Sequence, residues 1–392
     1  MPEQQATGSI PVTQELLDQW AIDSEGAVAL HLKQKLLPVE AIESDRGTVF
    51  PPTYADIGYN IDPLSDGTKV ATIDSVGSQA NRMEPLFCEG GPLADLVPQI
   101  KIKINNGTTV SIFDLPHRAA DATVQCSPDL ASLAADAFRE LKQGNAALLC
   151  ALAPTSLVFG VWDSRGGTGE KRPRLVRSLI RAWDVEVLHA AAQFTSVWKK
   201  LDEAQQMDLK KEADKKRVDL SVKGLQDAPA TFRKTKIPTN RDGAPNPDAR
   251  VLGGVLVKGR IEREVTVNLL ALRGLRGGDK EKGGAESNYV RQYLLGLTLL
   301  AATQQMDLFL REGCLLRYAR TDDDLWYALP RRGDPRRINF ANAHEVIRAY
   351  TVDALRHFKD KWPKNPNYEF NIAKAKELLA KKGEQEETPA AG

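Results

Sequence analysis

Apolar residues recur at i, i+3, i+4, i+7, i+8 and i+11 through Leu130, Leu133, Ala134, Ala137, Phe138 and Leu141, which is the spacing of one helix face. Ser127 and Pro128 precede this run and Gly144 follows it, so a helix capped by Ser127, with Pro128 at its first position, is expected there. The same period through Tyr289, Val290, Tyr293, Leu294, Leu297, Leu300 and Ala301 predicts a second amphipathic helix, and Val346, Ile347, Tyr350, Ala354, Leu355 and Phe358 predict a third. Leu16, Leu17 and Trp20 suggest a short helix near the N-terminus.

Period-two and continuous apolar runs predict strands over 27–32, 69–74, 146–152, 184–197 and 251–272, the last as a long strand or hairpin. Residues 100–104 and 109–113 flank Asn105-Asn106-Gly107-Thr108, a hairpin signal because Asn-Gly tolerates positive φ. Residues 315–318 and 325–329 are expected to pair around Asp322-Asp323-Asp324. Residues 45–56, with Arg46-Gly47 and Pro51-Pro52, read as a loop or edge segment. Helices and strands mix without regular βα alternation, so the expected class is α+β. Residues 1–15 are expected to form a flexible N-terminus, 16–380 a single domain with insertions, and 381–392, rich in Glu, Pro and Ala, a disordered tail.

The 392 residues suit one large domain or two, and 42% hydrophobic with 27% charged residues is ordinary globular composition. The net charge of +1 advertises no global field, so a nucleic-acid site would have to be a local patch. Cys88, Cys126, Cys150 and Cys314 are scattered without a C-x-x-C pair, which disfavours a zinc ribbon and a disulfide framework. The opening Met-Pro-Glu-Gln-Gln lacks a basic, apolar leader and no long apolar run follows, so a cytoplasmic protein without membrane association is expected.

One stretch concentrates candidate chemistry. Residues 155–159 are an apolar lead-in to Gly160-Val161-Trp162-Asp163-Ser164-Arg165-Gly166-Gly167-Thr168-Gly169-Glu170-Lys171-Arg172-Pro173-Arg174, and Arg177, Ser178 and Arg181 continue the run. Glycine lets backbone approach a ligand closely, and arginine forks match phosphate oxygens. Walker A chemistry is excluded, because Glu170 separates Gly169 from Lys171 and Arg172 follows the lysine. Thr168-Gly169-Glu170-Lys171 echoes a zinc-finger linker, but no Cys or His ligands flank it. The cations form either a grip on an extended polyanion or a solvated face paired with Asp163, Glu170 and Asp184. Trp162 and Trp183 bracket them, as base-stacking faces or as core.

A second stretch, Asp74-Ser75-Val76-Gly77-Ser78-Gln79-Ala80-Asn81-Arg82-Met83-Glu84, follows the strand at 69–74. It reads either as a phosphate-holding first turn or as an ordinary connector capped by Ser75 and Ser78, with Arg82 solvated. The segment 198–218 is helical and charged, with seven basic and five acidic residues between Lys199 and Arg217, and should project. Residues 224–250 are the longest irregular segment and 274–284 form another glycine-rich loop with Arg273 and Arg276 beside or within it. His31, His117, His189, His344 and His357 are isolated, and the triple aspartate reads as a turn. No catalytic constellation, metal set or cofactor motif emerges.

At Phe159-Gly160-x-Trp162-Asp163-Ser164, with Pro173-Arg174-x-x-Arg177-Ser178-x-Ile180-x-Ala182, and again at 74–84, the sequence resembles the backbone subunit of the subtype I-G (formerly I-U) CRISPR interference complex, Cascade, in the RAMP superfamily. The resemblance implies a modified RNA-recognition-motif, ferredoxin-like antiparallel sheet backed by helices with large insertions. It implies a non-enzymatic subunit that polymerises along CRISPR RNA as a helical filament and presents the guide for pairing with target DNA. Implied partners are neighbouring copies of the chain, a large subunit, a subunit capping the guide ends, and a recruited helicase-nuclease. The charged helix would serve contacts between copies, and a thumb is expected within 224–268. RNA contacts are then expected at Ser78, Gln79, Asn81, Arg82, Trp162, Ser164, Arg165, Gly166, Gly167, Lys171, Arg172, Arg174, Arg177, Ser178, Arg181, Arg273 and Arg276. An RNA-cleaving enzyme of the same superfamily, using Asp163 or His117, and a small-ligand-binding α+β protein are the alternatives.

Overall fold

The computed structural model describes residues 9–42, 44–54, 57–105, 107–164, 168–190, 197–218, 220, 223–226, 251–278, 284–320 and 324–382. Its main sheet contains β1 (Ile10–Pro11), β2 (Ala29–Pro38), β3 (Ile61–Pro63), β4 (Lys69–Asp74), β5 (Val176–Trp183), β6 (Ile261–Asn268), β7 (Phe309–Arg311), β8 (Cys314–Tyr318), β9 (Leu325–Leu329) and β10 (Arg336–Asn339). The spatial order is β1-β10-β9-β2-β6-β5-β4-β3, and β8 joins β2 beyond β9. The four central strands, β9-β2-β6-β5, are antiparallel neighbours. Numbered along the chain they stand 4-1-3-2, the ferredoxin-like order of a split βαβ. The α+β class expected from the sequence is the observed one.

The central strands alternate strictly. Leu30, Leu32, Gln34 and Leu36 of β2, Val176, Ser178, Ile180 and Ala182 of β5, and Ile261, Arg263, Val265 and Val267 of β6 are buried. Against this face lie α1 (Gln14–Ile22), α2 (Val76–Met83), α3 (Pro128–Lys142), α4 (Ala147–Leu152), α6 (Ala285–Thr303) and α7 (His344–Lys359), with α5 (Glu203–Lys216) apart from them. The helix α6 is more deeply embedded than an amphipathic stripe would make it, being buried from Val290 to Ala302 save only Gln292. Its Gly296 meets Thr351 of α7 so closely that a Cβ would collide with the hydroxyl. Among the described residues no helix is long and apolar enough to cross a membrane.

The apolar interior falls into two clusters. Leu30, Leu32, Val176, Val265 and Val267 belong to the cluster under the helices. Leu36, Ile180, Ala182 and Ile261 belong to one covered by β8 and by a small sheet of Val185–Ala190, Val251–Val257 and Gly47–Val49. Between them runs a polar belt. Arg263 is 1% exposed and donates to Gln79 at 3.2 Å, Ser178 at 3.1 Å, Gln34 at 3.1 Å and the Ala302 carbonyl at 3.3 Å. Gln34 in turn donates to Asp324 at 2.9 Å. Every member finds a partner, as buried polar groups must.

Several expectations need correction. Residues 147–152 form a helix instead of a strand, since six continuously apolar residues carry no period to separate the two. The strands β8 and β9 do not pair with each other; both bond to β2, at Leu36–Pro38 and Ala29–Lys33 respectively, and β9 turns into β10. The ten-residue β2 is long enough to seat both end to end. Ser127 occupies the N-cap, but its hydroxyl donates back to the Thr123 carbonyl and caps nothing. The strand expected over 184–197 is observed as Val185–Ala190, 191–196 lying outside the described residues. The thumb expected in 224–268 cannot extend to its end, because β6 is a central strand; 227–250 lie outside the described residues. Order also begins earlier than residue 16, at β1, and a helix runs over Ile372–Lys382.

Candidate nucleic-acid interface

The two stretches singled out in the sequence meet. Asp74, at the end of β4, is fully buried and accepts hydrogen bonds from Gln79 at 2.7 Å, Arg82 at 3.0 Å and Arg311 at 3.3 Å. Ser75 caps α2 by accepting from the Ser78 amide at 3.2 Å. Gln79 then accepts from Ser178 of β5 at 2.8 Å, which ties α2 to the strand that follows the glycine loop. This is a framework of charge-assisted bonds, not a ligand cradle. Gln79 and Ser178, both expected to touch RNA, are 0% and 1% exposed with their polar atoms committed inside, so neither reaches a ligand. Arg82 is likewise engaged by Asp74 and by the Leu310 carbonyl at 2.8 Å. Ser78 is half-buried beside its cap, and Asn81 alone of this group is exposed.

A second tie was not visible in the sequence. Glu84, 3% exposed, accepts both arms of Arg118 at 2.7 and 2.8 Å, and Arg118 donates onward to the Gly160 carbonyl at 3.2 Å. Its guanidinium also lies 5.5 Å from the centroid of the Phe159 ring. Burial pushes the Glu84 carboxyl above its ordinary range, and Arg118 opposes that shift. The pair anchors the entrance of the glycine loop to the end of the 74–84 stretch. Arg118 itself sits at φ 53°, a conformation no sequence period announces.

Gly160 has φ 86°, and a Cβ there would lie 2.9 Å from Cγ of Arg174. Ala at this position meets both a left-handed backbone and a collision, so Gly160→Ala is expected to cost about 1–2 kcal/mol from the backbone alone, read as a lower urea midpoint. From Gly160 the chain enters a hairpin pairing Val161 with Arg172 and Trp162 with Lys171. Asp163, 2% exposed, holds the turn by accepting from the amide and hydroxyl of Thr168. The expected RNA contacts Arg165, Gly166 and Gly167 lie outside the described residues.

What the hairpin displays is an uncovered ring among cations. Trp162 is 58% exposed, and the Lys171 ammonium stands 5.4 Å from the ring centroid. Ser164, Arg174 and Arg177 are also exposed. Among the described residues, Lys171, Arg174 and Arg177 pair with no carboxylate. Burial, with the charge of the neighbouring Arg118 second to it, lowers the Arg174 pKa. The remaining candidates are committed to the protein. Arg172 bonds Glu170 at 2.8 Å and the Leu141 carbonyl at 3.0 Å. Arg181 faces Glu264 at 3.5 Å, and Trp183 is flanked by Arg181 and Arg260. Arg273 ties down the carbonyls of Asp23 and Ala27, each at 2.6 Å. Arg276, by contrast, is exposed and lies against Gly144, just past the end of α3.

Residues 30–187 match the family model of CRISPR-associated protein GSU0053. That span is about two-fifths of the chain, and it contains β2, β4, α2, the Glu84–Arg118 pair, the hairpin and β5. This part of the chain is therefore similar to CRISPR-associated proteins. No curated protein matches. A solved chain described as "CRISPR RNA-guided surveillance complex, pre-nicking" aligns with 90% of this chain and 99% of its own length, at 13% identity and a TM-score of 0.28. A likeness that low carries no argument for the fold or the site.

Among the described residues no three His, Cys, Asp or Glu side chains gather as metal ligands would. Arg118 escaped sequence reasoning because it lies in no periodic or clustered setting, whereas Arg263 had a signal in its inward place between Ile261 and Val265 in the alternation of β6. The orientation of Ser178 did have a signal: Arg177, Leu179, Arg181 and Trp183 alternate with Val176, Ser178, Ile180 and Ala182, which places the serine inward.

Proposed function

We propose that this chain is an RNA-binding backbone subunit of a type I CRISPR effector complex, of subtype I-G and the RAMP superfamily. In this reading it grips the phosphates of a CRISPR RNA and assembles beside further copies of itself, with the remaining effector subunits and the target DNA joined through the guide. The observation that carries the reading is the exposed Trp162 ring beside Lys171 on the hairpin, with Arg174 and Arg177 exposed just after it in the chain and these three cations paired with no carboxylate among the described residues. Desolvating such a ring against a base and placing phosphates on the cations uses both features together. The match of residues 30–187 to a CRISPR-associated family supports the biological setting.

The role proposed is structural, not catalytic. Asp163 is occupied by Thr168, and the exposed His117 ring makes no hydrogen bond among the described residues, the neighbouring Asp121 carboxylate accepting instead from the His117 backbone amide at 3.3 Å.

The test is purification through a high-salt wash, followed by the ratio of absorbance at 260 and 280 nm and light scattering. An RNA-loaded multimer cleared by RNase and not by DNase is expected; protein that neither carries nor binds added guide RNA overturns the reading. Incubation with guide precursor, with and without divalent metal, is expected to leave the RNA intact, and metal-dependent products lost in Asp163→Ala would replace the structural role with a nuclease. Trp162→Ala is expected to weaken single-stranded RNA binding by about 1–3 kcal/mol, measured by fluorescence anisotropy, with the melting temperature unchanged.

A further inference from the structure

An apolar row crosses three strands at the end of β2. Phe309 of β7 stands opposite Leu315 of β8, and the Val39 amide donates to the Leu315 carbonyl at 3.1 Å, one position beyond the Leu316–Pro38 pair. Directly opposed residues share a face, and all three side chains are exposed. Leu308, Leu310, Cys314 and Leu316 alternate with them and fill the second apolar cluster, which leaves Phe309 and Leu315 outside it. Phe50 extends the patch: its amide donates to the Gly313 carbonyl at 3.0 Å, and its ring lies against this turn, where a Cβ on Gly313 would come within 2.5 Å. Ile42 adds a further exposed apolar side chain three positions after Val39. A contiguous apolar patch of this kind marks a contact surface.

Acids surround the row. Glu40, Asp307 and Glu312 are exposed, and among the described residues none pairs with a cation. Arg311 is drawn to Asp74 at 3.3 Å, and Arg317 to the Ala41 carbonyl at 2.8 Å, which leaves Arg46 as an exposed cation nearby.

The other half of a contact lies near the C-terminus. The helix α8 (Ile372–Lys382) carries four lysines to one glutamate. Ile372, Ala375 and Leu379 stand at i, i+3 and i+7 on one helix face, yet Ile372 is 65% and Leu379 75% exposed. Asn371 starts the helix on the helical layer, its amide donating to the Cys126 carbonyl at 2.7 Å and its side chain accepting from the Ala373 amide at 2.9 Å. An isolated helix of eleven residues is marginal in water, so this face needs something to pack on. Seven residues of helix rise about 10 Å, and two strand spacings cover about 10 Å, so the helix face and the sheet row match in length.

We infer that α8 of one copy docks its Ile372–Leu379 face on the Phe309–Leu315–Val39 row of the next, with its lysines toward Glu40, Asp307 and Glu312. The inference rests on the self-assembly proposed above and assigns that assembly to surfaces other than the charged helix α5. Within one chain the two surfaces do not meet, since both stay exposed. Helix and row are different surfaces, so the contact is heterologous and repeats in one direction, with an unoccupied row at one end and an unoccupied helix at the other. Apolar anchors at helical spacing supply the affinity, and the opposed charges select the orientation.

The test mixes two variants of the full chain, each disabled on one surface, and follows RNase-treated protein by sedimentation velocity at rising concentration. Ile372→Asp with Leu379→Asp spoils the helix, and Phe309→Asp with Leu315→Asp spoils the row; all four side chains are exposed, so unchanged melting temperatures are expected. Each variant alone is expected to self-associate more than about a hundredfold more weakly than the unmodified chain. Their equimolar mixture is expected to form one-to-one pairs and nothing larger, because one intact helix then meets one intact row. Glu40→Lys with Glu312→Lys, which removes no apolar contact, is expected to weaken association about tenfold at low salt and much less at high salt. Self-association of the variants equal to that of the unmodified chain overturns the inference, and so does a mixture that stays monomeric or an unmodified chain that is monomeric throughout. In each of those cases, guide RNA binding by the unmodified chain, measured separately by fluorescence anisotropy, leaves the RNA grip standing. An unmodified chain that assembles through these surfaces and binds no RNA supports the inference and overturns the RNA reading.

Discussion

Arg118→Ala should remove about 3–5 kcal/mol of folding stability, the largest single effect expected in this chain. The substitution leaves Glu84, 3% exposed, as a buried carboxylate without its cation, and frees the Gly160 carbonyl that Arg118 holds. The pH dependence gives the cause away. Burial already raises the Glu84 pKa in the folded chain, so this group contributes less stability as pH rises through the ordinary carboxylate range. Without Arg118 the folded pKa climbs further, so the penalty should be larger at about pH 8 than at about pH 5, closer to protonation of Glu84. Urea titrations of both proteins at the two pH values decide it. A loss that is equal at both would mean that Arg118 acts through packing on Phe159 instead. The pair Glu84→Gln with Arg118→Met, which buries no uncompensated charge, should recover most of the loss.

Reversing two exposed charges should leave the fold intact and abolish binding. In Arg174→Glu with Arg177→Glu both side chains are exposed and neither holds a carboxylate among the described residues, so an unchanged melting temperature is expected. Each reversal replaces a phosphate contact with a repulsion, and the affinity for single-stranded RNA should fall by more than about a hundredfold at near-physiological salt. Arg172 supplies the contrast. It is held by Glu170 and Leu141, so Arg172→Glu should act on the stability of the hairpin. If the double reversal binds RNA as the unmodified chain does, the hairpin and the start of β5 are not the interface.

The long elements were legible because their apolar residues repeat. The period over 130–141 located α3, and the runs within 289–301 and 346–358 located α6 and α7. Asn-Gly placed the hairpin of Lys101–Asn105 and Thr108–Ser111 correctly. The failures have physical causes. Residues 147–152 are apolar on every side, which suits a buried helix and a buried strand equally. Strand partners cannot be inferred from chain proximity when a third strand, β2, offers one edge to both. At the site, residue type misled where direction decides. Gln79 and Ser178 are polar, and so looked ligand-facing, yet they serve the charged framework between α2, β5 and β6. Arg174 and Arg177 were legible because they lie in a dense basic run.

The polar belt also acts as a keyway for assembly. Arg263 fits only when β2, β5 and α2 bring Gln34, Ser178 and Gln79 to it, and a one-residue slip of β6 would instead drive Glu262 and Glu264 into the apolar interior. A mispaired sheet would thus bury unpaired charge as well as lose its packing. The bond from Gln34 to Asp324 spans 290 positions, so a nascent chain cannot close the belt until its late strands have emerged.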